Sequence, residues 1–382
     1  MFKFKVYTNL RFGIGEAENL KEEVKDLGYA KVAVIIDQGV FSEPIVKKSL
    51  NGIEQTGLGL DIFKNEVAEP TYDYLELFKN KLDAKDYDCL VAIGGGSTID
   101  LAKGIAVLLT NEGKAISFRG FPRLKNRPLP VIAMPTTAGS GSEATYNAVF
   151  IDTREKRKLG INSTLNFPAC AIVDPLLTCN CPKPVTISSG LDALIHALES
   201  FLNKNHTFIS RMHSKEAFRL LFNNLMKVLD DPLNIDIRAE LALGAYLAGL
   251  ALVNSGPGII GAFSHPLGAL HHVPHGYAGA VFLYSVTKTN IDNHYADYAW
   301  LYDLIEGSNK GLSMGEKNIA FLEKIRILLE KLEVPKNLSY FGLGPNDIDF
   351  LIGQYDLIKG TIVLNPIEIT KDDARRMITE IA

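Results

Sequence analysis

A short apolar segment that runs directly into three consecutive glycines constrains the fold of this chain more than any other feature. The segment CLVAIGGG (89–96) has the length and composition of a buried parallel strand, and a helical pattern follows from Thr98. Three further runs of this kind alternate with helix-like segments: KVAVIID (31–37), LDIF (60–63) and PVIAMP (130–135). This alternation predicts a parallel sheet in a doubly wound, Rossmann-like α/β domain.

The pattern changes near residue 182. Strand signals almost vanish, and apolar residues recur at helical spacing in long segments such as GLDALIHALESFLN (190–203). Pro182 and Pro184 interrupt the chain at this change. We therefore predict an α/β domain over residues 1–182 and an all-helical domain over residues 183–382.

The glycine triplet has the properties of a phosphate-binding loop. Gly94, Gly95 and Gly96 let the backbone approach an anion closely, with N–H groups pointing outward. Ser97 or Thr98 can cap the next helix, whose positive end then faces a bound phosphate. A tight turn could use the same glycines. Their position between a buried strand and a helix favours a dinucleotide diphosphate, which makes residues 1–182 the dinucleotide-binding domain.

A second polar loop follows another predicted strand. The segment MPTTAGSGSEAT (134–145) supplies hydroxyl groups from Thr136, Thr137, Ser140 and Ser142, with glycines between them. Such a loop can wrap around a nucleotide. It can equally be a simple connection from a strand to a capped helix, and the sequence does not separate the two interpretations.

Two carboxylates lie close to these loops in the sequence. Asp37 ends the strand KVAVIID, where a carboxylate can accept hydrogen bonds from the ribose of NAD and repel the extra phosphate of NADP. Its alternative role is an ordinary helix cap. Asp100 lies in the first turn of the helix after the glycines, where a negative charge suits the helix dipole.

Histidines with a nearby carboxylate indicate a metal site in the second half. Asp192 and His196 are four residues apart, so a helix places both on one face, where they can hold one cation or pair directly. A further four histidines lie within eleven residues, which a purely structural role does not easily explain. They are His265, His271, His272 and His275.

Charge and composition exclude several classes of partner. A net charge of -4 and a pI near 6.1 give no basic surface for nucleic acid or anionic membranes. No stretch approaches the ~18 apolar residues of a membrane span. The first fifteen residues, MFKFKVYTNLRFGIG, predict an amphipathic hairpin rather than a secretion signal. Only four cysteines occur in the chain, which fits a reducing compartment and a cytoplasmic location.

Five motifs in a fixed order resemble the iron-containing (group III) alcohol dehydrogenases, within the dehydroquinate synthase-like superfamily. The motifs are GGGSTIDLAK, MPTTAGSGSEAT, NFPACAIVDP, GLDALIHALESFLN and HPLGALHHVPHG. The resemblance implies a Rossmann-like N-terminal domain and an all-helical C-terminal domain. It also implies an NAD(H)-dependent alcohol dehydrogenase or aldehyde reductase that acts on a small alcohol or aldehyde, and a homodimer.

The same resemblance assigns site residues. Asp192, His196 and His275 match three of the family's four metal ligands, and His265 matches a histidine near the nicotinamide that relays a proton. Lys158 is expected near the nicotinamide ribose. The full set of positions expected at the cofactor is Asp37, Gly94, Gly95, Gly96, Ser97, Asp100, Thr136, Thr137, Ser142 and Lys158.

One position departs from the family pattern. The remaining metal ligand is a histidine four residues before His265, and this chain has Gly261 there. Three protein ligands and a water can still hold iron or zinc. The departure also leaves open weak metal binding, a substitute ligand such as His271, or a metal-free reductase like the maleylacetate reductases. A lyase of the dehydroquinate synthase type and a non-catalytic nucleotide binder are the alternatives from other classes.

Overall fold

The structure is a computed structural model that describes residues 1–82, 86–271 and 273–382. His272, one of the four clustered histidines, lies outside the described residues. Contacts divide the chain into two compact units. The first, which we call the sheet unit, comprises Val6–Pro182 with Pro232–Tyr246, and the second, the helical unit, comprises Met1–Lys5, Lys183–Asp231 and Leu247–Ala382. This division differs from a single cut after residue 182 in the two short exchanged segments.

The sheet unit contains a six-stranded sheet in which every pair of neighbouring strands is parallel. The strands in chain order are β1 Asn9–Phe12, β2 Lys31–Asp37, β3 Gly59–Asn65, β4 Cys89–Gly94, β5 Val131–Pro135, β6 Asn147–Asp152, β7 Arg157–Asn162 and β8 Cys170–Val173. The sheet order is β1-β8-β5-β4-β2-β3, and β6 and β7 form a separate antiparallel pair. The doubly wound α/β fold predicted from the sequence is confirmed.

Both faces of this sheet are covered, which explains why its central strands are continuously apolar. Along β2, the side chains of Val32, Val34 and Ile36 belong to one core, and those of Ala33 and Ile35 belong to the other. The helices that cover the faces are α1 Leu20–Asp26, α2 Pro44–Glu54, α3 Tyr72–Asn80 and α4 Gly96–Thr110. The alternation of side chains therefore fills two separate cores from the same strands.

From residue 183 onward, the regular elements of the described residues are helices joined by loops, with no strand among them, as the sequence predicts. The helices are α5 Lys183–Leu202, α6 Phe208–Asn224, α7 Lys227–Asp230, α8 Ile235–Ser255, α9 Ile259–His271, α10 His275–Asp292, α11 Tyr298–Tyr302, α12 Met314–Lys331, α13 Pro345–Gly353, α14 Lys359–Ile362 and α15 Lys371–Glu380. Within the helical unit, α10 contacts both α5 and α9 extensively. Helices α5 and α10 carry the residues expected to bind metal, and α9 carries His265.

Three local predictions were wrong. The N-terminal hairpin does not form, because β1 pairs in parallel with β8 instead of with a neighbouring N-terminal strand. The segment LDIF forms a strand as expected, within β3, but β3 lies at the edge of the sheet, so several of its side chains are partly exposed instead of buried. Helix α4 begins at Gly96, two residues before Thr98, because Gly95 is the N-cap and Gly96 is already helical.

No individual helix in the described ranges has the length and apolar character to cross a membrane. The consecutive helices α8 and α9 meet that test only together, as a bent pair, and only by length and composition.

Candidate functional site

The predicted cofactor loops follow adjacent strands of the sheet. Strand β4 lies between β2 and β5, so the ends of all three strands are neighbours. Gly94 is paired with Pro135, and a Cβ added to Gly94 would lie 3.0 Å from the Cβ of Asp37. Sheet topology therefore brings Asp37, the glycine triplet and the loop after Pro135 to one edge, where doubly wound folds bind nucleotides.

The glycine triplet also allows the two loops to touch. A Cβ on Gly96 would lie 2.2 Å from Ser140 Oγ, and one on Gly95 would lie 3.4 Å from Thr137 Oγ1. Gly95 is the N-cap of α4, and no side chain caps this terminus, which corrects the role expected of Ser97 or Thr98. An uncapped helix N-terminus presents N–H groups and a positive dipole to an anion.

Thr98 has a different, structural partner that sequence reasoning missed. Its Oγ1 accepts a hydrogen bond of 3.0 Å from Nδ2 of Asn65, the last residue of β3. Both side chains are buried. The contact joins strand β3 to the first turn of α4 and so stabilises the glycine loop between β4 and α4. No local sequence signal connects the two residues, which are 33 positions apart.

A buried ion cluster joins the two loops. Ser142 Oγ donates to Asp100, which also accepts from the Val149 N–H at 2.9 Å. Lys103 Nζ donates to Ser142 Oγ at 2.8 Å and to the Asn147 carbonyl at 2.9 Å. Burial raises the pKa of Asp100 and lowers the pKa of Lys103 to about 8. Asp100 and Ser142 thus contact one another. Lys103, which was not predicted from the sequence, holds the loop that contains Ser142.

Three other residues predicted to contact the cofactor, Lys158, Asp37 and Thr136, make hydrogen bonds or ion pairs within the sheet unit. Lys158 lies on β7, where its Nζ is 2.7 Å from Glu69 Oε2. Asp37 Oδ1 accepts a hydrogen bond of 2.7 Å from the Gly39 N–H, which leaves Oδ2 with its full capacity as an acceptor. The Thr136 N–H donates to the Gly94 carbonyl at 3.0 Å and so extends the contact between β4 and β5.

Three donor atoms converge in the helical unit. His196 Nε2 lies 3.5 Å from Asp192 Oδ1, and His275 Nε2 lies 3.7 Å from the same oxygen. All three ligand atoms lie within 4.8 Å of one another. Two ligand atoms that are each ~2.1 Å from one tetrahedral cation are ~3.4 Å apart. The observed spacings therefore fit a single divalent cation, and α5 and α10 supply the three ligands.

Gly276 explains how α10 comes so close to α5. A Cβ at this position would lie 1.7 Å from the Ser188 carbonyl oxygen and 3.1 Å from the backbone nitrogen of Asp192. Only glycine permits this approach, because the opposing atoms are backbone and cannot rotate away. The absence of a side chain at 276 thus places His275, the first residue of α10, beside Asp192.

We expect Gly276→Ala to separate these helices. Overpacking against a rigid backbone costs about 1–3 kcal/mol or more, so the melting temperature should fall. Metal affinity, measured by competition with a chromogenic chelator, should fall as well. Gly315→Ala is the matched control, since no atom lies within 4 Å of an added Cβ there. Equal stability and metal affinity in both variants would contradict this explanation of the site.

The remaining histidines occupy two different environments. The ring of His265 on α9 lies edge-on to that of His275, with 5.1 Å between centroids, so it borders the three ligands. His271 is at the end of α9, where its Nε2 is 3.3 Å from Asp347 Oδ1. His271 does not belong to the group of converging ligand atoms. The described arrangement therefore does not support His271 as a substitute ligand.

Gly261 faces a buried carboxylate that sequence reasoning missed. Glu199 on α5 accepts hydrogen bonds from the N–H groups of Ile260 at 2.5 Å, Gly258 at 3.2 Å and Gly261 at 3.3 Å. Burial raises the pKa of Glu199 to about 7 against the opposing effect of these donors. Among the described residues, a Cβ on Gly261 would meet only Glu199 Oε2, at 3.4 Å. Neither the backbone conformation nor the space for a Cβ requires glycine at position 261.

Comparisons with known proteins agree over the whole chain. Residues 8–175 match the model of the family described as iron-containing alcohol dehydrogenase, and residues 186–382 match the C-terminal domain of that family. The chain is 31% identical over 372 residues to 1,3-propanediol dehydrogenase of Citrobacter freundii, covering 96% of this chain and 95% of that protein. It is 30% identical to lactaldehyde reductase of Escherichia coli, covering 95% and 94%.

Solved structures give the same result. A crystal structure of 1,3-propanediol oxidoreductase superposes with a TM-score of 0.94 at 28% identity and covers 100% of both chains. A structure of sulfoacetaldehyde reductase from Bifidobacterium kashiwanohense in complex with NAD+ superposes with a TM-score of 0.89 at 25% identity, covering 100% of this chain and 99% of that one.

Proposed function

The chain belongs to the iron-containing alcohol dehydrogenase family, and from this premise we propose that Asp192, His196 and His275 hold the divalent metal at which it acts. Membership makes it an oxidoreductase of the alcohol dehydrogenase or aldehyde reductase type. The family also implies NAD(H) and a divalent metal. We propose which residues bind each cofactor and what role each residue has.

The observation that carries the proposal is the convergence of one carboxylate and two imidazoles. Their donor atoms lie 3.5 and 3.7 Å apart in a largely buried part of the helical unit. Burying such groups is unfavourable unless they are paired or coordinated. Two histidines and one carboxylate, with further positions open, form a donor set that suits ferrous iron, and zinc accepts the same ligands. Iron is therefore the metal we propose first.

We assign the dinucleotide to the edge of the sheet unit. Gly94, Gly95, Gly96 and Ser97 would bind the diphosphate at the uncapped start of α4. Thr136 and Thr137 follow β5 next to this loop and would contact the nucleotide, while Lys158 would reach the nicotinamide ribose. Asp100 and Ser142 would act by holding the second loop in shape, because they bond to each other.

The chemistry divides between cofactors and protein. A bound divalent cation supplies Lewis acidity to the substrate oxygen, and the nicotinamide supplies or accepts the hydride. Asp192, His196 and His275 would hold the cation and so position that oxygen. His265 would carry its proton to or from solvent, since its ring borders His275 at 5.1 Å and an imidazole can both accept and donate a proton.

The substrate we propose is a small alcohol or aldehyde. The named relatives act on 1,3-propanediol and lactaldehyde, which are both short and polar. We further propose a cytoplasmic location and a homodimer. Free cysteines, of which Cys89 and Cys170 are buried, support a reducing compartment. Light scattering of the purified protein would test the oligomeric state.

The test of the proposed function combines metal content with turnover. The protein should bind about one Fe²⁺ per chain under anaerobic conditions, measured by elemental analysis. It should then oxidise NADH in the presence of short aldehydes and reduce NAD⁺ with the matching alcohols. Bound NAD without turnover on any member of the panel would favour the non-catalytic nucleotide binder. Turnover on a phosphorylated substrate with no net change in NADH would favour the lyase.

Cofactor choice gives a separate prediction. We expect a strong preference for NADH over NADPH, because the Asp37 carboxylate repels a 2′-phosphate. Asp37→Gly should reduce this preference about tenfold or more in kcat/KM. Asp37→Asn should reduce the preference as well, since it removes the charge and keeps the acceptor for the Gly39 N–H, which separates the charge from the local hydrogen bond. A wild-type protein that uses NADPH and NADH equally well would show that Asp37 does not select against the 2′-phosphate of the ribose.

A further inference from the structure

We propose that Ser264 is a positioning residue that fixes the tautomer of His275, so that helix α9 serves the metal centre by orienting a ligand. The inference rests on the proposed metal-centred function. Ser264 is fully buried on α9, one residue before His265. Its hydroxyl lies within hydrogen-bond distance of the imidazole of His275 on α10.

The hydrogen bonds around Ser264 determine which atom carries the proton. Ser264 Oγ lies 2.8 Å from the Gly261 carbonyl oxygen and 3.2 Å from His275 Nδ1. A carbonyl oxygen can only accept, so the single hydroxyl proton of Ser264 is donated to Gly261. The contact with His275 is then a hydrogen bond only if Nδ1 carries a proton and donates it to the serine oxygen.

This arrangement presents the correct nitrogen to a metal. A neutral imidazole that is protonated on Nδ1 has its lone pair on Nε2. In His275, that Nε2 is the atom 3.7 Å from Asp192 Oδ1. Metal-binding histidines commonly donate their other N–H to a neighbouring acceptor, which sets the tautomer and the ring orientation. Ser264 supplies that acceptor here.

Glu199 holds the helix that carries Ser264. Its carboxylate accepts from the N–H groups of Ile260 and Gly261 in the first turn of α9, and it lies three residues after His196 on α5. The Gly261 residue thus donates its N–H to Glu199 and accepts from Ser264 through its carbonyl. In place of a third imidazole at position 261, the backbone there anchors the orientation of His275.

His196 makes a useful contrast. Its Nδ1 is buried and has no hydrogen-bond partner within the part of the chain that the structure describes. Both imidazoles offer Nε2 to Asp192, yet only the ring of His275 has a protein acceptor for its other nitrogen among the described residues. Loss of the Ser264 hydroxyl should therefore affect His275 selectively.

The experiment compares Ser264→Ala with Ser200→Ala. Ser200 is a matched control, because it is a fully buried serine of the helical unit whose hydroxyl has no partner in the described residues. We expect Ser264→Ala to weaken the affinity for Zn²⁺, measured by competition with a chromogenic chelator, by about 10- to 100-fold. Ser200→Ala should leave it unchanged, and Ser264→Thr, which retains the hydroxyl, should recover most of it. NADH affinity should stay within about twofold in all three.

A second readout needs no metal. In the full-length protein labelled with ¹⁵N-histidine and freed of metal, the NMR spectrum of His275 should show the Nδ1–H tautomer. Ser264→Ala should give a mixture of tautomers. An Nε2–H tautomer in the wild type, or unchanged Zn²⁺ affinity in Ser264→Ala, would overturn the inference. A wild-type protein that binds no metal would instead contradict the proposed function, and the tautomer of His275 would then decide the role of Ser264 by itself.

Discussion

Asp192→Ala and His275→Ala are each expected to reduce kcat by about 10³-fold or more while NADH affinity stays within about twofold. Each change removes one of the three atoms that converge in the helical unit. The residues assigned to the dinucleotide belong to the sheet unit, so its binding should survive. Removing an interaction that acts on the reacting atoms lowers kcat rather than cofactor affinity.

Steady-state kinetics and NADH fluorescence titration measure the two quantities. His271→Ala is the matched control, since His271 contacts Asp347 and lies outside the ligand group, and it should retain near-normal turnover. Thermal stability adds an independent check. A metal present at 100 times its dissociation constant stabilises the folded state by about 2.7 kcal/mol. Metal should raise the melting temperature of the wild type and not that of Asp192→Ala. Full activity in both ligand variants would refute a metal-centred mechanism.

Much of the fold was predictable because its signals are local. The apolar runs of β2, β4 and β5 are short and sharply bounded, and the glycine triplet marks the start of α4. Strand β8, within the NFPACAIVDP motif, was harder to predict as a strand. It is only four residues long, and its role depends on β1 and β5, which come from distant parts of the chain. Pairing between distant segments leaves no local pattern.

The candidate site also contains some residues that were predictable from local patterns and others that were not. Asp192 and His196 were predictable because one turn of a helix separates them, and His265 and His275 stood out by clustering. The partners that hold these residues were not predictable. Glu199 bonds to backbone groups about 60 residues away, and the Lys103 cluster joins residues 39 or more positions apart. These contacts involve backbone atoms or hydroxyls, whose partners the sequence does not specify.

The backbone around Gly261 bears directly on the missing ligand. The sequence resemblance implies a histidine at this position, and the described surroundings leave room for its Cβ. Among the described residues, the added Cβ would meet only Glu199 Oε2, at 3.4 Å, which is ordinary van der Waals contact. Gly261 is therefore unlike Gly276, where a Cβ would collide with backbone at 1.7 Å. The surroundings of Gly261 therefore do not require glycine, whereas those of Gly276 do.

Gly261→His is accordingly expected to raise metal affinity tenfold or more, or at least about 1.4 kcal/mol, by supplying a fourth protein ligand. Gly261→Ala is the matched control, because it adds the same Cβ without a donor atom and should leave the affinity near that of the wild type. The readout is the dissociation constant for Zn²⁺ and the metal content of protein purified without added metal. Activity is a poor readout, since a fourth ligand occupies a position that the substrate can use.

Chelation of the wild type tests whether turnover needs the metal. With three protein ligands, the native protein should lose metal to a strong chelator more readily than Gly261→His does, and its turnover should fall and return when Fe²⁺ is restored. Gly261→His should keep its metal for longer under the same conditions, because four ligands must dissociate instead of three. Suppose instead that exhaustive chelation leaves turnover of the wild type unchanged and that added metal has no effect. The chain would then be a metal-free reductase of the same superfamily, and Asp192 and His196 would form a structural or acid–base pair.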